Sequence, residues 1–119
     1  MAHILVVDDD RDTRKIVSHV LERAGYQVTL AAGVAEGLSA MWQTDPDVVL
    51  TDLCMLDGSG QDILEHARKL PAAPPVIVMS GSFDSVTEPK LLLAGAKALL
   101  PKPFRLHELM AAVAATLVV

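Results

Sequence analysis

The chain has 119 residues, a formal net charge of −5, and a composition that is 51% hydrophobic but only 3% aromatic. That length suits one domain spanning residues 1–119, with enough apolar material for a sizeable core. An acidic balance with no Lys/Arg-rich run excludes a basic nucleic-acid-binding face, and the apolar runs are well short of a bilayer crossing.

Met1-Ala2-His3 leads straight into an apolar run, without the charged region and cleavage site of a signal peptide. A single cysteine, Cys54, rules out an internal disulfide. Together these features point to a reducing, cytoplasmic setting.

The first run, Ile4-Leu5-Val6-Val7, is rich in β-branched residues and stops at Asp8, Asp9 and Asp10. Its continuous apolar character is that of a strand buried on both faces. Ile16, Val17, Val20, Leu21 and Ala24 then share one helical face, with Gly25 where such a helix would end. Val28-Thr29-Leu30-Ala31 reads as the second strand, and Val34, Leu38 and Met41 form the next helical stripe, with Trp42 on that helix. Val48-Val49-Leu50-Thr51 is the third strand and ends at Asp52. Ser59-Gly60 opens a helix whose apolar positions are Ile63, Leu64 and Ala67.

Val76-Ile77-Val78-Met79 is the fourth strand, followed by Ser80-Gly81. The fourth helix, around Pro89 to Ala94, should be short and start late, because proline suits a first helical turn and not an interior. Ala98-Leu99-Leu100 is a brief fifth strand leading to Lys102-Pro103. Leu106, Leu109, Met110, Val113 and Leu117 make the fifth and clearest helical stripe.

Five strands alternating with five helices imply right-handed βαβ units and an α/β/α sandwich around a parallel sheet. Ligands in such folds bind beyond the carboxyl ends of the strands. Asp8-Asp9-Asp10, Asp52, Ser80-Gly81 and Lys102 all fall there. Each has an ordinary explanation taken alone: a helix cap, which we assign to Asp10, a turn, or a solvated lysine. Their shared position at one edge of one sheet is what singles them out.

Electrostatics sharpens the point. Like charges about 4 Å apart cost roughly 4 kcal/mol per pair at an intermediate dielectric, so Asp8, Asp9 and Asp52 call for a compensating cation. Hard carboxylate oxygens suit Mg²⁺ or Mn²⁺, and Lys102 adds a fixed positive charge. An anionic nucleophile beside a divalent metal and an ammonium has the parts that phosphoryl transfer requires. Asp52 is the best-placed acceptor, with Ser80 able to donate a hydrogen bond to the phosphoryl group.

The chain resembles the CheY-like receiver domains of two-component response regulators over essentially its full length. ILVVDDD (4–10), LTDLCMLDGSG (50–60), VIVMSG (76–81) and LLPKPF (99–104) carry the resemblance, supported by AGYQV (24–28) and LLAGA (92–96). It implies a flavodoxin-like (β/α)5 fold with strand order 2-1-3-4-5. It further implies that Asp8 and Asp9 hold Mg²⁺, that Asp52 is both phosphoacceptor and metal ligand, and that Cys54 lends its backbone carbonyl to the metal. Ser80 matches the switch hydroxyl and Lys102 the lysine that pairs with phosphoryl oxygens, and Lys102-Pro103 becomes a candidate cis bond.

Such a switch catalyses only its own phosphorylation and dephosphorylation. Its donor is a histidine kinase or a histidine phosphotransfer protein, and its output face is formed by the fourth helix, fifth strand and fifth helix, where a homodimer or an effector docks.

Three features depart from the family pattern. Leu56 stands where proline is frequent, which implies a less rigid loop after the third strand. Leu99 replaces the switch aromatic, so coupling through an inward-turning ring cannot run in that form. Pro89 and Leu91-Leu92-Leu93 make the fourth helix unusual: either Leu93 and one neighbour are core, or the helix presents an apolar patch.

The acidic neighbours of Cys54 argue against a reactive thiolate, and its small side chain beside the site would act on water access. His3, His19, His66 and His107 show no metal-binding spacing. Two rivals fit less well. An aspartyl phosphohydrolase would carry a second acid at position 54, and a flavodoxin-type binder would not place three aspartates where a nucleotide phosphate sits. A pseudo-receiver acting purely in protein interaction stays open on the strength of Leu56 and Leu99.

Overall fold

A computed structural model describes residues 1–117, and the last two positions of the expected 1–119 domain lie outside it. Counting the strands of the main sheet, the order along the chain is β1 (His3–Val7), α1 (Arg11–Arg23), β2 (Gln27–Ala31), α2 (Val34–Thr44), β3 (Val48–Asp52), α3 (Gly60–Lys69), β4 (Val76–Ser80), α4 (Thr87–Leu93), β5 (Ala98–Pro101) and α5 (Leu106–Leu117). All neighbouring strands are parallel, in the order β2-β1-β3-β4-β5. This is the flavodoxin-like arrangement. A two-residue antiparallel ladder, Cys54–Met55 against Gly58–Ser59, tightens the loop between β3 and α3.

Alternation within each strand sends side chains to both faces of the sheet. On one face Ile4, Val6, Leu50, Ile77 and Met79 pack with Val17 and Leu21 of α1 and with Leu109 and Val113 of α5. On the other, Leu5, Val7, Val49 and Val78 pack with Val34 and Met41 of α2, Ile63 and Leu64 of α3, and Leu91 of α4. Each fully buried aliphatic side chain contributes about 1.5–3 kcal/mol. The two faces therefore supply the cohesion that scarce aromatics do not. Among the described residues no helix is long and apolar enough to cross a membrane.

Several elements differ from their sequence reading for identifiable reasons. Only the three central strands are buried throughout their apolar runs; β2 lies at the sheet edge, and its Leu30 is exposed. On α1 the buried stripe narrows to Val17 and Leu21, because Ile16 faces solvent and Ala24 is the exposed C-cap. Gly25 follows in the left-handed region (φ 96°), the conformation that ends a helix without penalty in glycine.

Helix α4 begins two residues earlier than expected, at Thr87, so Pro89 falls in its first turn. Its single buried leucine is Leu91, while Leu92 and Leu93 are exposed, so the core reading of Leu93 does not hold. The helix presents an apolar patch instead.

Candidate functional site

Backbone pairing continues one step past β1, β3 and β5 and so fixes where the polar residues emerge. The Asp8 N–H donates to the Ala31 carbonyl (3.1 Å), the Leu53 N–H to the Met79 carbonyl (2.8 Å), and the Lys102 N–H to the Ser80 carbonyl (2.7 Å). In the ladder Asp52 stands opposite Met79, and Ser80 opposite Pro101. The carboxyl ends of β1, β3, β4 and β5 thereby converge.

The carboxylates of Asp8, Asp9 and Asp52 each offer an oxygen within 4.8 Å of the others. Asp8 is fully buried, and Asp9 and Asp52 are partly so. The Lys102 Nζ lies 2.9 Å from Asp8 Oδ2 and 3.5 Å from Asp52 Oδ2. Lys102 and Pro103 are joined by a cis peptide bond.

Burial is the main influence raising the Asp52 pKa above the usual carboxylate value, and the Asp8 charge adds to it, while Lys102 opposes both. For Lys102 burial works downward and is the largest single influence, but the hydrogen bond and charge of Asp8, followed by the charge of Asp52, outweigh it and leave the ammonium harder to deprotonate.

Three hard carboxylates, one of them buried, with only one lysine against them, fit a divalent cation such as Mg²⁺ or Mn²⁺. Asp10 stands apart as the N-cap of α1: its carboxylate accepts from the Asp12 N–H and the Thr13 hydroxyl. Those bonds, the Thr13 hydroxyl first, hold its pKa below the usual value. Ser80 is buried, and its Oγ accepts from the Ser82 N–H at 3.0 Å, which leaves the hydroxyl proton to give elsewhere. Gly81 is exposed, and a Cβ at its position would meet no heavy atom within 4 Å. Cys54, two residues beyond Asp52, is exposed.

Other expected positions fall away from this cluster. Trp42 projects from α2 and meets His66 edge-on at 6.0 Å. His3 pairs with Thr29 through its ring (2.7 Å), and His19 and His107 are exposed. Leu99 is half-buried against the α2–α4 core.

Sequence reading missed four contributors. Arg14 Nη1 donates to the Asp8 carbonyl at 2.7 Å. Gly60 packs so closely under Asp52 that a Cβ there would lie 2.5 Å from the Asp52 carbonyl oxygen. The Leu56 N–H donates to Asp9 Oδ2 at 2.9 Å, so the loop expected to be loose is tied to the acidic cluster. Asp57 caps α2, accepting from the Val34 and Ala35 N–H groups. The one sequence signal for it was Gly33, a helix-start position that brings no cap of its own. An apolar groove of about 520 Å³, lined by Ile16, Val17, Pro103, Phe104 and Leu106, opens beside Lys102 and Gly81.

Fold and site together define a doubly wound α/β domain whose carboxyl edge carries three clustered carboxylates, a lysine and a buried serine. Comparison with known proteins makes that specific: residues 4–114 match the response regulator receiver domain family, and the chain belongs to it. It is 39% identical over 107 residues to the DNA-binding transcriptional regulator NtrC of Bradyrhizobium sp. (strain RP501 Parasponia), covering 90% of this chain and 22% of that protein. It is also 39% identical over 115 residues to the response regulator MprA of Mycobacterium sp. (strain KMS), covering 96% of this chain and 50% of the other.

Among solved structures, a CheY-like receiver domain protein from Methanospirillum hungatei JF-1 superposes with a TM-score of 0.93 at 31% identity, covering 98% of this chain and 94% of that one. The chemotaxis protein CheY4 of Vibrio cholerae gives 0.91 at 28% identity, covering 98% of both. The chain thus spans between about a fifth and a half of the curated relatives named here. It is a receiver domain of the kind found in two-component signalling proteins.

Proposed function

We propose that this receiver, one domain over residues 1–119, accepts a phosphoryl group on Asp52 from a histidine kinase or histidine phosphotransfer protein in the cytoplasm. The observation that carries this reading is the approach of Lys102 to both Asp8 and Asp52 within a cluster of three carboxylates. Asp8, Asp9, Asp52 and the Cys54 backbone carbonyl would hold Mg²⁺ or Mn²⁺, which supplies neutralisation of the charge on the transferring phosphoryl oxygens.

The steps belong to the chain's own groups. An Asp52 carboxylate oxygen attacks phosphorus, the O–P bond forms as the donor's N–P bond breaks, and the imidazole nitrogen leaves with the electron pair. The Lys102 ammonium pairs with a phosphoryl oxygen, and the Ser80 hydroxyl donates to another. Gly81, without a side chain, leaves room for the group. The groove beside Lys102 offers a protein donor an apolar seat next to the acceptor. The domain catalyses its own modification and acts as a switch.

Modification would then bias the face formed by α4, β5 and α5, toward a second copy or an effector, with no direct contact to nucleic acid or membrane by this domain. Coupling of this kind is typically about 1–3 kcal/mol. Leu99 occupies the switch position, so the shift would run through aliphatic repacking under α4 and not through a turning ring. The exposed Leu92 and Leu93 support the assignment of that face.

The test is intact mass after incubation with acetyl phosphate and Mg²⁺. One Mg²⁺-dependent phosphoryl adduct, absent in Asp52→Asn, is expected. Absence of both the adduct and Mg²⁺ binding would overturn the reading and favour a pure interaction module.

A further inference from the structure

We propose that the loop after β3 positions the metal ligand Asp9 through two consecutive residues, the backbone N–H of Leu56 and the carboxylate of Asp57. This rests on the reading of Asp8, Asp9 and Asp52 as a divalent-cation site.

Asp9 is partly exposed, beside two other carboxylates. Left to itself, such a side chain relaxes toward water and away from its like-charged neighbours. The Leu56 N–H opposes that by holding Oδ2 at 2.9 Å from a position 47 residues distant, which leaves the other oxygen available to a cation. Hydrogen bonds behind a metal ligand fix its orientation in this way.

The Leu56 side chain is 96% exposed, so packing is not what position 56 contributes to the fold. What it contributes is a donor, and proline, frequent at this position in the family pattern, has none.

Asp57 fixes the donor in turn. Its Oδ1 accepts from the Val34 N–H at 2.8 Å and its Oδ2 from the Ala35 N–H at 3.1 Å, both at the start of α2. A Cβ on Gly33 would lie 2.7 Å from that carboxylate, so glycine makes the space it occupies. Apart from these two anchors the loop tip has the two-residue ladder of Cys54–Met55 with Gly58–Ser59, and short isolated ladders are weak. Residue 56 therefore ties the loop to the acidic cluster while residue 57 ties it to α2, and cation affinity becomes coupled to the start of that helix.

Mn²⁺ titration by calorimetry, paired with thermal unfolding in chelator, tests this on the wild type, Leu56→Pro, Asp57→Ala, Asp57→Asn and Leu38→Ala, a partly buried α2 position packed against the core. Leu56→Pro and Asp57→Ala should bind Mn²⁺ about tenfold more weakly, the lower end of what losing such support costs. Asp57→Asn, which keeps one accepting oxygen, should fall between Asp57→Ala and wild type. Leu38→Ala should unfold earlier yet bind as wild type does. Wild-type affinity in both Leu56→Pro and Asp57→Ala would overturn the proposal and leave Asp57 as a helix cap alone, and so would equal weakening in Leu38→Ala. A wild type that binds no Mn²⁺ would instead overturn the cation-site reading itself.

Discussion

Lys102 and Asp8, 94 positions apart, close a 2.9 Å ion pair in which the carboxylate is wholly buried and the ammonium remains partly reached by solvent. A buried carboxylate without a partner is costly, so in the metal-free protein this lysine, together with the Asp10 N–H that donates to Asp8 Oδ1 at 2.9 Å, makes Asp8 tolerable. A divalent cation on Asp8 would compete for the same charge.

Lys102→Ala should therefore destabilise the metal-free domain by about 3 kcal/mol, the range for removing one member of a buried pair. Urea unfolding in chelator and in Mg²⁺ checks both halves of the argument. Because the variant lacks the competing ammonium, Mg²⁺ should stabilise it more than it stabilises wild type. Equal stabilisation of the two proteins would show that Asp8 is not shared between lysine and cation.

Asp52 holds its proton to higher pH in the folded chain than when unfolded, through burial first and the Asp8 charge second. The sign follows from proton linkage. Its ionisation costs stability, and that cost develops as pH rises from the ordinary value of 3.8 through the higher folded value. In chelator, Asp52→Asn should be more stable than wild type at neutral pH, with the gap closing in acid. Lys102 carries the same sign in a higher window, although there the fold favours the charged form: its stabilising pairs are fully present below 10.5 and are lost as pH climbs through its raised folded value. Denaturant midpoints across the pH range would expose either sign as wrong.

Gly60→Ala would place a methyl carbon 2.5 Å from the Asp52 carbonyl oxygen and 3.1 Å from the Leu53 Cα, both backbone atoms that cannot rotate away. A loss of about 2 kcal/mol is expected from such overpacking, together with slower phosphoryl uptake as the acceptor is displaced. An unchanged unfolding midpoint would mean that the β3–α3 junction yields more easily than its close contacts imply.

On α4, Leu93 is 87% exposed and Leu92 52% exposed. Leu93→Glu should alter stability by no more than about 0.5 kcal/mol, as is usual for surface positions. It should leave acetyl phosphate labelling intact while weakening any phosphorylation-dependent self-association, measured by sedimentation. Self-association that survives this substitution would move the output face away from α4.

Much of the site was legible in advance because strands of a parallel sheet end at one edge, so the residues after each apolar run must meet there. Asp8, Asp52, Ser80 and Lys102 needed only that rule. The Asp10 cap was equally local, since a carboxylate ahead of a helix bonds the N–H groups two or three residues on. Leu56 was not legible: a leucine in place of proline reads as lost rigidity, and the donor it restores matters only once Asp9 is known to lie opposite it. Leu91, Leu92 and Leu93 were ambiguous for a similar reason, because a seven-residue helix gives too few turns to say which leucine faces inward.

Apolar periodicity and chain order were enough to settle the alternation of elements, the parallel sheet and the residues at its carboxyl edge, because both are local properties that every copy of the chain carries. Which charges touch was a matter for the folded molecule: that Lys102 serves both Asp8 and Asp52, that Asp57 caps a helix 22 and 23 positions away, and that a backbone N–H at Leu56 holds Asp9. Those contacts depend on close approach between segments far apart in the chain, and such distances are set only when packing on both faces of the sheet has fixed every strand end and loop.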